Sequence, residues 1–294
     1  MRTITEALTH HVLLTDGSIT RELKLPELDL DAERDFFGAA ECPEVLNLTR
    51  YSKVVDVHKA FLKAGADIVR TNSLRANPLT LRAYGLEDEA FMINFKAAEA
   101  AAEAVDSVPG EGRRRFVMGV VRDDGWDIPP GDVEAAASIQ VEGLIAGGAD
   151  GILLDVLPGV GRIQAMLEGA NKAREKLNSR IAILLQRIEG GPRFGPRTVD
   201  SADGIVQFRP GDARRAAWLD SALRDGTVNL IGGGSLPQHT AALDTLLRDR
   251  AEDGFRPVLG WVRDERVVDD LEPVSSWTRF PDPVEAPESV SETA

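Results

Sequence analysis

The segment from Leu46 to Gly85 constrains the fold more strongly than any other part of the chain. Its apolar positions have helical spacing over Val54–Lys63, and a glycine ends that helix. The run Ala66–Arg70 then predicts a strand, which Thr71–Asn72 follow directly. A helix–strand unit of this kind repeats in α/β folds, which place their chemistry at the carboxyl ends of the strands.

Seven further strands are predicted, and helices separate most of them. Eight short strands at even spacing favour a (β/α)8 TIM-type barrel over an open doubly wound sheet, the other α/β fold that this alternation allows. No Gly-x-Gly-x-x-Gly follows the first strand, which weakens a dinucleotide-binding interpretation. The further strands are His11–Thr15, Phe116–Val121, Gly151–Asp155, Ile181–Leu185, Gly204–Phe208, Val228–Ile231 and Pro257–Gly260.

Three segments depart from the alternation of strands and helices. Ile188–Ser201 is dense in glycine and proline, so a Gly/Pro/Arg-rich loop is expected in place of the helix between strands 5 and 6. Arg21–Pro43 is acidic and is expected to be an irregular surface excursion. We expect the barrel to occupy residues 1–262, and residues 263–294 to form a tail rich in proline and acidic residues.

Charge and cysteine content limit the class of protein. The chain has 34 Lys and Arg against 48 Asp and Glu, a formal net charge of −14, which argues against a nucleic-acid or anionic membrane partner. The single cysteine, Cys42, excludes an intrachain disulfide and fits a reducing compartment. No apolar run approaches the length of a bilayer span. We therefore expect a cytoplasmic protein with a small-molecule ligand, and a homo-oligomer is compatible with these features.

Polar residues follow the predicted strands where a barrel would have its mouth. The acidic ones are Asp16 and Asp155, and two carboxylates at a mouth suit an ammonium group such as the amine of an amino acid. They also suit general acid/base work. The alternative is that each aspartate caps the turn or helix that follows it.

Four arginines surround the glycine- and proline-rich segment. In an acidic chain, a local basic cluster near a barrel mouth predicts an anionic ligand or partner. Solvated surface charge is the alternative. The sequence shows no cluster of metal ligands, and it does not identify a catalytic residue. The four arginines are Arg187, Arg193, Arg197 and Arg209.

Several of these motifs resemble those of the homocysteine S-methyltransferase family, the zinc-dependent barrel that methylates homocysteine. Leu14–Gly17 resembles the family's opening "LDG", and Ala64–Ser73 resembles "AGADIIxTNTF". Gly148–Asp155 resembles "AGADxxxxET", with aspartate in place of the family's glutamate, and Ile231–His239 resembles the ends of "IGGCCGTTPEHI". The resemblance runs from about residue 11 to residue 247 and implies a (β/α)8 barrel. It also implies a substrate site that contains Asp16, Gly17, Thr71, Asn72 and Asp155.

The resemblance also implies where the family's zinc would bind, and this chain departs from the pattern there. The family holds zinc through three thiolates, and the corresponding positions are Phe208, Gly234 and Ser235. None of these side chains supplies a thiolate or an imidazole, so these are degenerate metal positions and zinc is not expected. Without zinc, the thiol of homocysteine lacks the activation that makes it a nucleophile in the family.

Two functions follow from these observations. The first is a methyltransferase-type enzyme, or a methyl-transfer subunit, that acts on a small molecule without the family zinc. Its methyl group would come from a corrinoid or a folate carried by a partner protein, and no cofactor would be bound by the chain itself. The alternative is a catalytically inactive paralogue that binds a ligand or pairs with an active methyltransferase.

Overall fold

The computed structural model describes residues 3–23, 29–39, 42–110, 114–122, 128–155, 162–188, 198, 200–210, 228–232, 234 and 236–252. Within these ranges, short parallel strands alternate with helices. The strands are β1 (Leu13–Leu14), β2 (Ile68–Arg70), β3 (Phe116–Arg122), β4 (Gly151–Asp155), β5 (Ala182–Ile188), β6 (Gly204–Pro210) and β7 (Leu230–Gly232).

The helices pack outside the strands, except for the first, which contributes to the barrel interior. Short 3-10 turns cover Pro43–Val45, Arg82–Tyr84 and Glu87–Glu89. Among the described helices, none combines the length and the apolar character that a bilayer crossing requires. The helices are α1 (Ile4–His10), α2 (Ile19–Leu23), α3 (Ala32–Phe36), α4 (Leu46–Thr49), α5 (Tyr51–Lys63), α6 (Pro78–Leu81), α7 (Ala90–Ser107), α8 (Pro130–Ala146), α9 (Ile163–Lys176) and α10 (Pro237–Glu252).

The strands form a single parallel sheet in the order β1-β7-β6-β5-β4-β3-β2. Its two outer strands meet at an isolated parallel bridge between Thr15 and Ile68. At this bridge the backbone N–H of Asp16 donates to the carbonyl of Ile68 at 3.0 Å. The sheet therefore curves round until its edges meet, and the predicted α/β class with a TIM-type barrel is confirmed.

Some predictions fall on parts of the chain that are not described. The eighth strand at Pro257–Gly260 and the division between a barrel to 262 and a tail at 263–294 lie outside the described residues. In the segment expected to lack a helix, Thr198 and Asp200 are helical, and residues 189–197 and 199 lie outside the description.

The prediction of an irregular excursion over residues 21–43 is wrong in its described part. That part contains the end of α2 and the whole of α3. Leu23 and Phe36 are buried in the same apolar cluster as α5. Asp35 is also buried and pairs with Arg50 at 2.6 Å. The acidic composition of this segment concealed the few apolar residues that attach it to the barrel.

Alternate residues along the strands pack in two directions. Ile68, Met118, Leu153 and Leu184 belong to the cluster that fills the barrel, together with Ile4 and Leu8 of α1. Val69, Leu154 and Leu185 each follow one of these strand residues directly, and they pack instead against the outer helices. This period of two follows from the pleat of a strand. It determines which side chains at the carboxyl ends point into the barrel.

An Ala-Asp pair precedes every second strand and fixes its register. The carboxylate of each aspartate accepts the backbone N–H of one residue in the preceding strand at 2.7–2.9 Å. The aspartate's own N–H donates to the carbonyl of that same residue at 2.7–2.8 Å. A one-residue slip of the strand would break both bonds and would reverse its inner and outer faces. The partners are Asp67 with Leu14, Asp150 with Val117, and Asp203 with Ile183.

We expect Asp67→Ala to lower the free energy of unfolding by about 1–3 kcal/mol, because the buried N–H of Leu14 then has no acceptor. Asp56→Ala, on the exposed side of α5, is the matched control and should change it by less than about 0.5 kcal/mol. Denaturant unfolding of both variants measures the difference. Equal stabilities would show that the aspartate does not fix the register.

His58 is a polar side chain inside an apolar cluster of helices. It lies on α5, is fully buried, and neither ring nitrogen has a hydrogen-bond partner in the described part of the chain. Burial lowers the pKa of His58 to about 3. The unfolded chain binds a proton at this residue below about pH 6.5, and the folded protein does not do so until about pH 3. The folded state therefore loses stability as the pH falls through this window.

His58→Leu should remove this pH dependence. As the pH falls from about 6 to about 3, His58 lowers the free energy of unfolding by about 1.4 kcal/mol per pH unit. The difference in unfolding free energy between the variant and the parent protein should therefore grow as the pH falls, whatever the carboxylates contribute to both. Denaturant titrations at several pH values test this. Parallel stability curves would contradict it.

Candidate functional site

Three adjacent strands bring a charged and polar cluster to the inner face of the barrel mouth. Arg122 ends β3, Asp155 ends β4, and Gln186 lies near the end of β5. The strand register places Arg122 beside Asp155, and Asp155 beside Gln186. Each residue lies an even number of positions beyond a residue of the interior cluster, so each faces the inside of the barrel. The site therefore lies at the carboxyl ends of the strands, where barrel enzymes react.

The carboxylate of Asp155 holds this cluster together. Its Oδ1 accepts a hydrogen bond from Nε2 of Gln186 at 2.6 Å. Its Oδ2 accepts from Nε of Arg122 at 3.1 Å and also from Nη2 of the same guanidinium. Asp155 is buried, whereas 29% of the Arg122 side chain is exposed. The aspartate thus anchors a guanidinium that still contacts the mouth.

A second ion pair lies where β1 meets β2. Nε of Arg70 donates to Oδ1 of Asp16 at 2.9 Å, and the backbone N–H of Arg70 donates to Oδ2 at 2.9 Å. Nη2 of Arg70 donates to the carbonyls of Asp16 and Gly17 at 3.2 and 3.1 Å. Burial raises the pKa of Asp16 above its usual value, and the charge of Arg70 acts in the opposite direction. The carboxylate of Asp16 therefore neither caps a turn nor stands unpaired, because it is hydrogen-bonded to Arg70 at the end of β2.

Thr71 and Asn72 are engaged within the protein instead of lining the mouth. The hydroxyl of Thr71 accepts the N–H of Val120 at 3.1 Å, so it lies between β2 and β3. Nδ2 of Asn72 donates to the carbonyl of Pro43 at 2.9 Å and to Oδ1 of Asn47 at 3.1 Å. Both side chains are buried. The structure does not place them with Asp155, and their role in substrate binding stays a prediction.

Gly17 and Gly234 mark a close approach of two backbone segments at the mouth. The N–H of Ser18 donates to the carbonyl of Gly234 at 3.0 Å. A Cβ added to Gly17 would lie 2.0 Å from that carbonyl oxygen, and one added to Gly234 would lie 2.7 Å from Cβ of His239. Glycine is therefore required here for packing. The role of Gly17 in substrate binding is untested.

Of the three predicted degenerate metal positions, the structure describes Phe208 and Gly234, and neither offers a zinc ligand. Phe208 is buried and packs in the interior cluster, Gly234 carries no side chain, and Ser235 lies outside the described residues. Cys42, the chain's single cysteine, is buried beside Glu44. Burial and the neighbouring carboxylate raise its pKa to about 12, which disfavours a thiolate. No group of three acidic, histidine or cysteine ligands is found among the described residues.

The proposed cluster of four arginines is only partly described. Arg187 is half-buried on β5 and shares the outer face with Leu185, so it does not point into the barrel with Gln186. Arg193 and Arg197 lie outside the described residues, as does the side chain of Arg209. Anion binding by these four residues therefore remains a prediction.

Arg70, Arg122 and Gln186 are residues of the mouth to which the sequence alone assigned no binding or catalytic role. Each stands at or next to a predicted strand end, but a strand end has two faces. The signal that distinguishes the faces is the period of two measured from the buried interior residues. The sequence could not supply it, because these buried strands are apolar on both faces, as is usual in parallel sheets.

Comparison with known proteins identifies relatives of this chain. A family model described as homocysteine S-methyltransferase matches residues 13–194. Methionine synthase of Mycobacterium tuberculosis is 28% identical over 184 residues, which are 60% of this chain and 15% of that protein. Methionine synthase of Mycobacterium leprae is 27% identical over 186 residues, 61% of this chain and 15% of that protein. The matched region spans about 15% of the length of these curated relatives.

Solved structures support the same fold. The homocysteine methyltransferase MmuM from Escherichia coli in its metallated form matches with a TM-score of 0.58 at 19% identity, covering 80% of this chain and 96% of that chain. Its oxidized form matches with a TM-score of 0.57 at 19% identity, covering 80% and 95%. At this identity, the likeness shows a shared fold.

Asn72→Ala separates a structural role of this residue from a binding role. The substitution leaves the carbonyl of Pro43 and Oδ1 of Asn47 without this donor in a buried place, so we expect a loss of about 1–3 kcal/mol in unfolding free energy. Ser52→Ala, on the exposed side of α5, is the control. Unchanged stability together with weaker ligand binding would instead assign Asn72 to the substrate.

Proposed function

The chain belongs to the homocysteine S-methyltransferase family, and on that premise we propose that it is a methyltransferase-type protein acting on a homocysteine-like small molecule. The observation that carries the proposal is the cluster of Arg122, Asp155 and Gln186 inside the barrel mouth. Barrel enzymes place their substrates at this end of the strands. The cluster supplies fixed donors and a fixed charge in an otherwise apolar interior.

The cost of this cluster supports a functional role. An apolar residue at the position of Asp155 would pack with the interior cluster without any desolvation of charge, and buried ion pairs rarely improve stability over such packing. The cluster avoids unpaired groups because both oxygens of Asp155 accept hydrogen bonds. Polar groups that are costly to bury and fully oriented are typical of binding sites.

The proposed reaction is transfer of a methyl group to the sulfur of a bound thiol. The thiol gives its proton to water, the sulfur forms a bond to the methyl carbon, and the bond between that carbon and its carrier breaks with its electron pair left on the carrier. The guanidinium group of Arg70 favours the anionic form of a group bound beside it, including a thiolate. Asp155 and Gln186 keep Arg122 in place during the transfer.

We propose that this chemistry proceeds without zinc, because the degenerate metal positions at Phe208, Gly234 and Ser235 offer no thiolate. We propose that the methyl carrier is a corrinoid or a folate bound to a partner protein. No observation favours the alternative of an inactive paralogue, and the family relationship gives it no support.

The remaining parts of the proposal concern location and partners. We propose a cytoplasmic protein without nucleic-acid or membrane partners, because the formal net charge of −14 repels polyanions and anionic lipid. A homo-oligomer and a division into a barrel and a C-terminal tail remain proposals.

Methyl transfer can be measured with the full chain, homocysteine and either a methylated corrinoid protein or a methylated folate. We expect methionine to form at the same rate with and without a zinc chelator. Asp155→Asn should lower kcat/KM by about tenfold or more, because it weakens the charge that positions Arg122. Arg114→Gln removes a comparable surface ion pair, the one with Asp150, and serves as the control.

Two results would contradict the proposal in different ways. Activity that a chelator abolishes and zinc restores would overturn the zinc-independent route while leaving the methyltransferase. No methyl transfer from either carrier, with the protein folded, would overturn the enzymatic function.

A further inference from the structure

The two carboxylates at the mouth are already neutralised by the chain's own arginines. A carboxylate that receives a substrate ammonium needs an open oxygen. Asp16 instead accepts from the guanidinium and the backbone of Arg70. Asp155 accepts from Arg122 on one oxygen and from Gln186 on the other. Both carboxylates are buried and each has its charge paired with a guanidinium, which disfavours either as the receptor of a ligand amine.

The arginines, in contrast, have donors left over. A guanidinium carries five N–H groups in a rigid fork. Arg70 already donates through Nε and Nη2, and Arg122 already donates through Nε and one N–H of Nη2. In the described part of the chain, Nη1 of each has no hydrogen-bond partner. The side chains of Arg70 and Arg122 are 22% and 29% exposed, so neither guanidinium-bearing side chain is closed off from solvent.

We infer that the mouth binds its ligand through a carboxylate held by the free edge of Arg122, and not through an ammonium held by Asp155 or Asp16. This inference rests on the proposed function, since it specifies how the substrate of that reaction is recognised. Two open carboxylates would select a positively charged ligand group, whereas an arginine selects a negatively charged one. The substrate class is a thiol that bears a carboxylate and needs no α-amino group.

Arginine suits this role for a geometric reason. Its planar fork matches the two oxygens of a carboxylate, and such charge-assisted bonds are stronger than neutral ones. Asp155, which Gln186 holds in place, bonds the far edge of the fork, so little conformational freedom is lost when a ligand binds its near edge. In this arrangement Asp155 is a positioning residue and Arg122 contacts the ligand.

Three thiols of the same chain length test the inference by calorimetry under reducing conditions. Homocysteine carries both charges, 4-mercaptobutanoate carries the carboxylate alone, and 3-amino-1-propanethiol carries the amine alone. We expect 4-mercaptobutanoate to bind at least as tightly as homocysteine. The amine should bind more weakly by about tenfold or more, because it lacks the group that the guanidinium recognises. Tighter binding of the amine than of the acid would overturn the inference, and so would no binding of the acid.

Arg122→Gln should weaken binding of the acid thiol and strengthen binding of the amine thiol. The substitution removes the donor fork and frees Oδ2 of Asp155, so affinity for 4-mercaptobutanoate should fall by about tenfold and affinity for 3-amino-1-propanethiol should rise. Unchanged affinity for both thiols would overturn the inference.

Two further variants keep the test decisive if Arg122→Gln does not fold, since it leaves a buried carboxylate unpaired. The double variant Arg122→Gln/Asp155→Asn has no unpaired charge. Its affinity for 4-mercaptobutanoate should fall, and its affinity for 3-amino-1-propanethiol should not rise. Arg114→Gln removes a comparable arginine–aspartate pair before β3, at the opposite end of that strand, and should bind all three thiols as the parent protein does.

Binding is measured here without a methyl donor, so the inference and the proposed function fail separately. Binding of the acid with no methyl transfer would reject the reaction and leave the recognition mode. Methyl transfer to 3-amino-1-propanethiol in preference to 4-mercaptobutanoate would reject the recognition mode and leave the reaction.

Discussion

The fold depends on a hydrogen-bonded contact that occurs three times at the amino-terminal ends of the strands. An aspartate after an alanine exchanges two hydrogen bonds with one residue of the preceding strand, at Asp67, Asp150 and Asp203. Each contact fixes the register of a strand pair, and in a sheet the register determines which side chains face inward. At the mouth, the placement of Arg122 beside Asp155 therefore depends on the contact of Asp150 with Val117 near the beginning of the same pair of strands.

The register has a direct chemical consequence. It sets Arg122, Asp155 and Gln186 side by side on the inner face, where the aspartate is hydrogen-bonded to both of its neighbours. A shift of one residue on any of these strands would turn its member of the cluster toward the helices. The same principle separates Gln186, which belongs to the cluster, from Arg187, which follows it and shares the outer face with Leu185. Position along a strand is thus not enough to define a site residue.

The sequence predicted the elements well, because each carries a local signal. The strand Gly151–Asp155 was predicted with its observed bounds, and α5 ends at the predicted residue and begins three residues before the predicted start. Glycines and prolines at element boundaries and apolar periodicity explain this success. The helices between residues 19 and 36 were missed because they are short and acidic. A few apolar contacts with α5 stabilise them, and these are not local in sequence.

By itself, the sequence determined the α/β alternation, the family and the presence of a single cysteine, because these features are residue types at given places along the chain. Only the tertiary structure decided what the mouth carboxylates do. Asp16 and Arg70 are 54 residues apart in sequence, and Arg122 and Asp155 are 33 apart, yet each pair is in contact. Whether a carboxylate is open to a ligand or already paired depends on contacts across strands, which no local pattern records.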